Sequence, residues 1–290
     1  MTIIGITGAT GQLGRRTAEY VLESHPAEEL VLFSRSPDAL SDLAKIGTKT
    51  RFVDFDQPDS VADAFGGVDV LLVISTDAVG RRRAQHEAAI VAAADAGVAR
   101  IAYTSMPNAD ADFPARARAL SDDHASTELV LQKAGPAWTV LRNAMYLEAI
   151  SGGWAHAVAS GHLVTNNGDG RHAPITRDDC AAAAAAVLLG EGHDGVAYDI
   201  AGARLLDDRA IATALTNRHG RPVDVVAIAD VDYQDGLVAT GLPAELAGLL
   251  TGFGESIRSG LFETPLGDFE ALTGRPPVAI EEFLAREAAG

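Results

Sequence analysis

The sequence predicts an α/β chain: a Rossmann-type doubly wound parallel sheet with a smaller C-terminal α/β lobe. Three observations predict it. Strand-like and helix-like segments alternate through the first half at the spacing of βαβ units. A glycine-punctuated turn, Thr7-Gly8-Ala9-Thr10-Gly11-Gln12-Leu13-Gly14, follows directly on the first strand and opens a helix. Val68–Ser75 is a continuous apolar run, of the kind buried on both faces of a parallel sheet.

Taken in order, Thr2–Thr7 is a short β-branched strand, Gly11–Ser24 has helical spacing, and Leu30–Ser34 is the second strand. Thr50–Phe55 reads as a third strand and Pro58–Phe65 as a short helix. After Val68–Ser75 comes the long helix Arg82–Ala96, closed by Gly97. Ile101–Ser105 is a strand, Asp122–Lys133 a helix and Trp138–Arg142 another strand. Beyond Asn143 the rhythm changes. Gly152-Gly153 and Asn166–Gly170 look loop-like, Asp178–Leu189 is an alanine-rich helix, and Val196–Ala201 is a strand expected to return to the sheet. Asp207–His219, Asp230–Gly241, Pro243–Leu250 and Ala279–Ala288 read as helices, with a short strand at Val223–Ile228.

Composition excludes several classes. Of the 290 residues, 47% are hydrophobic and 22% charged, enough apolar material for a sizeable core. Forty acidic residues stand against 23 basic ones, a net charge of -17, which argues against nucleic acid and anionic membrane surfaces as partners. The single cysteine, Cys180, excludes an internal disulfide, and the eight scattered histidines argue against a metal site. No apolar run reaches the roughly 20 residues a membrane helix needs, and the first residues read as a strand, not a leader, so a cytoplasmic location is expected. The expected partner is a small-molecule substrate, with a homodimer as an open alternative to a monomer.

The glycine turn is suited to a dinucleotide. One glycine permits the tight turn, a second lets the backbone approach a pyrophosphate, and a third packs helix against strand. The helix start then presents unpaired amides and a partial positive charge. At the end of the second strand, where an NAD site usually places an acid, the sequence has Ser34-Arg35-Ser36. A guanidinium between hydroxyls suits a 2′-phosphate, so the expected cofactor is NADP(H). Asp54 and Phe55, ending the third strand, are placed to bound the adenine, or Asp54 to cap the next turn. Arg81-Arg82-Arg83 is either a solvated helix start or a further hold on phosphate. Residues 1–150 are thus expected to form the NADP(H)-binding domain, with 176–201 folding back onto it, and residues 151–290 a smaller substrate-binding lobe.

None of the five tyrosines has a lysine four residues later, so the proton relay common in short-chain dehydrogenases is absent. In the expected register Leu120 and His124 stand in its place. A hydride acceptor that needs little acid assistance, such as a quinone, escapes this problem.

The sequence resembles the NmrA-like group of atypical short-chain dehydrogenases, and within it the bacterial NADPH-dependent quinone reductases. The resemblance rests on the Thr7–Gly14 turn, Arg35, Leu71–Ser75, Val79-Gly80, Gln85-His86 and Ala102–Ser105. It continues through Asp123-His124, Thr127-Glu128, Leu141–Asn143, Tyr146, Gly168–Gly170, Thr176–Asp178 and Gly260–Phe262. It implies that Gly8, Thr10, Gly11, Gln12 and Leu13 cradle the pyrophosphate, with Arg35 on the 2′-phosphate. Ile74, Ser75 and Thr76 would run beneath the ribose and nicotinamide. The segment Leu141, Arg142, Asn143 to Tyr146 would close the nicotinamide side, with Asn143 beside the substrate, or as a simple turn residue. Tyr103 and Tyr146 would pack against a quinone ring. His124 is a candidate proton donor or a surface helix residue, and Ser105 either bonds the carboxamide or ends its strand. Two departures stand out: Met106-Pro107 after the Thr104-Ser105 strand, and a long arginine-bearing loop at Asn108–Ala119. The rival reading is a regulatory protein that senses NADP(H) without turnover; an aromatic ether or isoflavone reductase would need a lysine where His124 stands.

Overall fold

A computed structural model describes residues 2–78 and 80–287. Val79 of the matched Val79-Gly80 pair and Ala288, the expected end of the last helix, lie outside the described residues. Seven parallel strands form the main sheet: β1 (Ile4–Ile6), β2 (Leu30–Ser34), β3 (Lys49–Phe52), β4 (Val70–Val73), β5 (Arg100–Ser105), β6 (Ala137–Asn143) and β8 (Val196–Ile200). Two further strands, β7 (His162–Thr165) and β9 (Asp224–Ala227), pair in parallel as a small separate sheet. The main order is β3-β2-β1-β4-β5-β6-β8, so the direction of winding reverses between β1 and β4. A crevice opens there at the carboxyl ends of the strands, the general ligand position in such sheets.

Two cores cover the sheet's two faces. On one, the helices Gln12–Leu22 and Arg177–Leu189 pack together over Ile4, Ile6, Leu32, Leu72 and Leu141. The alanine run of the second helix allows this closeness, since Ala181, Ala183, Ala184 and Ala185 are all buried. On the other face, Arg82–Asp95 and Ala115–Lys133 lie over Val31, Phe33, Leu71, Val73, Tyr103 and Val140. A third cluster joins Trp154, Leu206, Ile211, Leu215 and Phe283 beside the small sheet. Among the described residues no helix is long and apolar enough to cross a membrane.

Several elements differ from the sequence expectation. The helix expected from Asp122 begins at Ala115, so the last five residues of the supposed loop Asn108–Ala119 are helical and Asn108–Pro114 remains irregular. Alanine, arginine and leucine are strong helix formers, and the run Ala115–Leu120 is made of them alone. The helix expected to end at Leu250 runs from Ala244 to Arg258 because packing against Ala115–Lys133 overrides the low propensity of Gly252 and Gly254. Trp154–Ser160, β7 and the helix Asp268–Thr273 fall where no regular element is expected.

The first turn is sterically demanding. Gly8 has φ +61°, and a Cβ on Gly14 would overlap the Gly8 carbonyl oxygen and sit 2.9 Å from its carbon. Gly14→Ala is therefore expected to lose about 1–3 kcal/mol of stability, the cost of overpacking a close contact. Urea unfolding checks this, and an unchanged midpoint contradicts it.

Candidate active site

The crevice at the β1/β4 reversal is a cleft of about 340 Å³. Gly8, Thr10 and Gly11 line it from the first turn, Ser34 and Arg35 from the end of β2, and Asp54 and Phe55 beyond β3. Ile74, Ser75 and Thr76 form its floor past β4, with Asp77, Ala78, Arg81 and Gln85 along the rim. Nine residues expected at the cofactor thus meet in one cleft.

The helix start beside Gly11 suits an anion. It has no side-chain cap and no acid in its first turn, which leaves its amides to a ligand. Gln12 and Leu13 belong to this start through their backbone; the Leu13 side chain is buried in the core. Thr10 Oγ1 lies 3.0 Å from Ser34 Oγ, which also accepts from the Ser36 amide at 2.9 Å, so the residues flanking Arg35 are held. Arg35 itself is exposed and has no ion-pair partner among the described residues. Asp54 spends its carboxylate locally, accepting from the Asp56 amide and from Gln57 Nε2 while it borders the cleft.

The floor is tethered by side chains. Where β4 leaves the sheet ladder, the amides of Ile74, Ser75 and Thr76 donate to Thr7 Oγ1, Thr104 Oγ1 and His86 Nε2 at 2.9, 2.9 and 3.0 Å. Thr76 Oγ1 donates to Gln85 Oε1 at 2.6 Å, and Gln85 Nε2 to Asp56 Oδ1 at 2.8 Å. Sequence reasoning assigned no role to Thr7, Gln85, His86 or Thr104. A signal was available for Thr7 and Thr104, each a polar residue within or beside an apolar, buried strand; Gln85 and His86 lie in the charged opening turns of a helix and carry no such mark.

Five expected contact residues stand elsewhere. Tyr103, placed against a substrate ring by the resemblance, is fully buried, with its hydroxyl between His86 Nδ1 (3.2 Å) and His124 Nδ1 (2.8 Å). His124 is 5% exposed and does not face the cleft. Burial first, and then the Arg82 charge, push its pKa down to about 3, so it is neutral at neutral pH and not a cationic proton donor. Ser105 Oγ donates to Glu128 Oε1 at 2.6 Å, and Arg142 grips the same carboxylate through Nε (3.2 Å) and Nη2 (2.7 Å). Leu141 is core. The reason is the period of two along a strand: residues 103 and 105 of β5, and 142 of β6, point at the helix Ala115–Lys133.

Asn143, one residue on, points to the opposite face. Its Nδ2 donates to the Tyr146 hydroxyl at 3.3 Å, while its Oδ1 is buried with no partner among the described residues. A buried amide oxygen without a donor is costly, and its position at the carboxyl end of β6 suits a ligand. Tyr146 is half-buried, with the Arg177 guanidinium 4.8 Å from its ring centre. No group of residues suited to hold a metal ion occurs among the described residues.

Residues 8–191, which span the glycine turn, the cleft and six strands, match the NAD(P)H-binding family. The chain belongs to that family. It is 36% identical to quinone oxidoreductase 2 of Escherichia coli over 285 residues, 98% of each chain. The crystal structure of that NADPH-dependent enzyme complexed with NADPH superposes with a TM-score of 0.93, at 34% identity over 98% of this chain and 99% of the other. Citrobacter triphenylmethane reductase complexed with NADP(H) gives 0.91, at 30% identity over 99% of each. An NmrA-like family domain-containing oxidoreductase of Aspergillus flavus is 26% identical, covering 94% of this chain and 91% of its own. The chain is accordingly an oxidoreductase that binds NAD(P)H, with an NmrA-like protein among its homologues.

The buried neutral histidines make stability depend on pH. Burial pushes His86 and His172 down to about 4, as it pushes His124 to about 3. The unfolded chain takes up these protons near pH 6.5 and the native state resists until about pH 4, so stability is lost as pH falls between the two. Between pH 7.5 and 5.5 the loss is expected to be about 1 kcal/mol for each histidine. Urea midpoints at the two pH values measure it; equal midpoints contradict the assignment.

Proposed function

We propose that the chain is an NADPH-dependent reductase that transfers a hydride to a quinone without a tyrosine–lysine proton relay. The observation that carries this reading is the cleft at the β1/β4 reversal, lined by Arg35, with the Asn143 oxygen at the carboxyl end of β6, two strands beyond β4; neither has a partner among the described residues. The whole-length similarity to quinone oxidoreductase 2 supports the choice of acceptor.

The residues fit the cofactor. Gly8 to Leu13 hold the pyrophosphate with backbone amides at the helix start, Arg35 takes the 2′-phosphate, and Asp54 and Phe55 border the adenine. Ile74, Ser75 and Thr76 support the ribose and nicotinamide, and Asn143 and Tyr146 bound the acceptor. Bound there, the reduced nicotinamide supplies a hydride to a two-electron acceptor. The protein's own contribution is orientation and exclusion of water. Its candidate acids are poor: Tyr103 and His124 are enclosed, and burial raises the Tyr146 phenol well above its ordinary range. An acceptor whose reduction is driven without strong general acid catalysis matches that arrangement, and its protons come from solvent.

Purified protein mixed with NADPH and a panel of small quinones is expected to oxidise NADPH well above background. A triphenylmethane dye in the same panel tests the alternative acceptor of the Citrobacter relative. No turnover on any quinone contradicts the proposal. In addition, Arg35→Ala is expected to weaken NADPH binding about 10- to 100-fold, the worth of a charge-assisted contact, and to leave NADH nearly unchanged. Equal losses for both cofactors contradict the role of Arg35.

A further inference from the structure

The cleft floor is held by three side-chain acceptors, and the third differs in kind from the others. Thr7 and Thr104 offer hydroxyl oxygens, which accept whichever way the hydroxyl hydrogen is turned and at any working pH. His86 offers a ring nitrogen, which accepts only when it carries no proton. Because the Thr76 amide donates to Nε2, the neutral ring must carry its proton on Nδ1. The surroundings agree. Nδ1 lies 3.1 Å from Thr127 Oγ1, whose own hydroxyl is committed to the Asp123 carbonyl at 2.7 Å, so Oγ1 accepts. The Tyr103 hydroxyl lies 3.2 Å from the same nitrogen and 2.8 Å from His124 Nδ1. His86 and Tyr103 are fully buried and their rings meet edge to face at 5.3 Å. Arg82, the cation nearest this group, reaches His124 Nε2 at 3.4 Å and further opposes protonation of both rings.

We infer that His86 is a positioning residue for the nicotinamide cofactor. Its Nε2 lone pair fixes the Thr76 amide in the cleft floor, Thr127 behind it holds the Nδ1-protonated tautomer, and the Tyr103–His124 pair packs the ring in place. Neither histidine touches the cleft; both act through Thr76. This assigns a purpose to a buried polar cluster that the transfer itself does not use. The inference rests on the cleft taking NAD(P)H and not on the acceptor, so it can fail while quinone reduction stands, and the reverse.

The test compares His86→Gln, His86→Asn and His86→Leu, each checked for native circular dichroism, by fluorescence titration with NADPH. Glutamine carries its amide oxygen near the position of Nε2 and can still accept from Thr76; asparagine is too short and leucine offers no acceptor. The expected result is an NADPH dissociation constant raised about tenfold in H86N and H86L, the effect of stranding one buried amide, with H86Q restored to within a few-fold of wild type. Wild-type binding in H86L, or equal losses in folded H86Q and H86N, overturns the inference. Nitrogen-15 NMR of the wild type answers even if the variants do not fold. His86 must show the Nδ1-protonated tautomer, and its Nε2 resonance must move when NADP+ is added; an Nε2-protonated ring or an unmoved resonance overturns it.

Discussion

The helix Gln12–Leu22 lies against the Gly8 carbonyl with no room for a methyl group, and the site depends on that contact. The closeness aims an uncapped helix start at the crevice where the sheet reverses its winding. It also lets the same helix pack against Arg177–Leu189, whose alanines bring β8 and its flanking segment onto the edge beside β6. A bulkier residue at position 14 would move the helix and with it the phosphate end of the cleft.

The opposite wall is built from polar groups kept neutral. Past the end of β4 the backbone loses its ladder partners, and a buried amide without an acceptor costs about 1–3 kcal/mol. Side chains from the turn just after β1, from β5 and from the helix Arg82–Asp95 supply those acceptors. A histidine in that role must stay uncharged, which burial and the nearby Arg82 both favour. Next to this neutral cluster, on the same sheet face, Glu128 ties Ser105 and Arg142 together, so the ends of β5 and β6 are braced from behind while Asn143 faces forward.

Much of this was legible in the sequence. The glycine turn, Arg35 and the β4 floor are local features, each defined by a few adjacent residues, and all of them meet in the cleft. Three of the residues that stand away from the cleft do so for one reason. Tyr103, Ser105 and Arg142 sit on correctly expected strands, but which face of the strand meets the cleft depends on the helix that covers the other face. That helix was itself expected to start seven residues late, at Asp122 and not Ala115. The strands β7 and β9 illustrate a second limit: each has four residues, and their pairing spans about 60 residues of intervening chain, so no local pattern announces it. Tertiary packing also kept Gly252 and Gly254 inside a helix that their propensity would have ended.

The central claim is that this cleft is shaped for the phosphorylated dinucleotide. Calorimetric titration of the wild-type protein with NADPH and, separately, NADH tests it most directly. The arrangement of Arg35 predicts one binding site per chain and a clearly smaller dissociation constant for NADPH. Equal affinity for the two cofactors, or tighter binding of NADH, would contradict it.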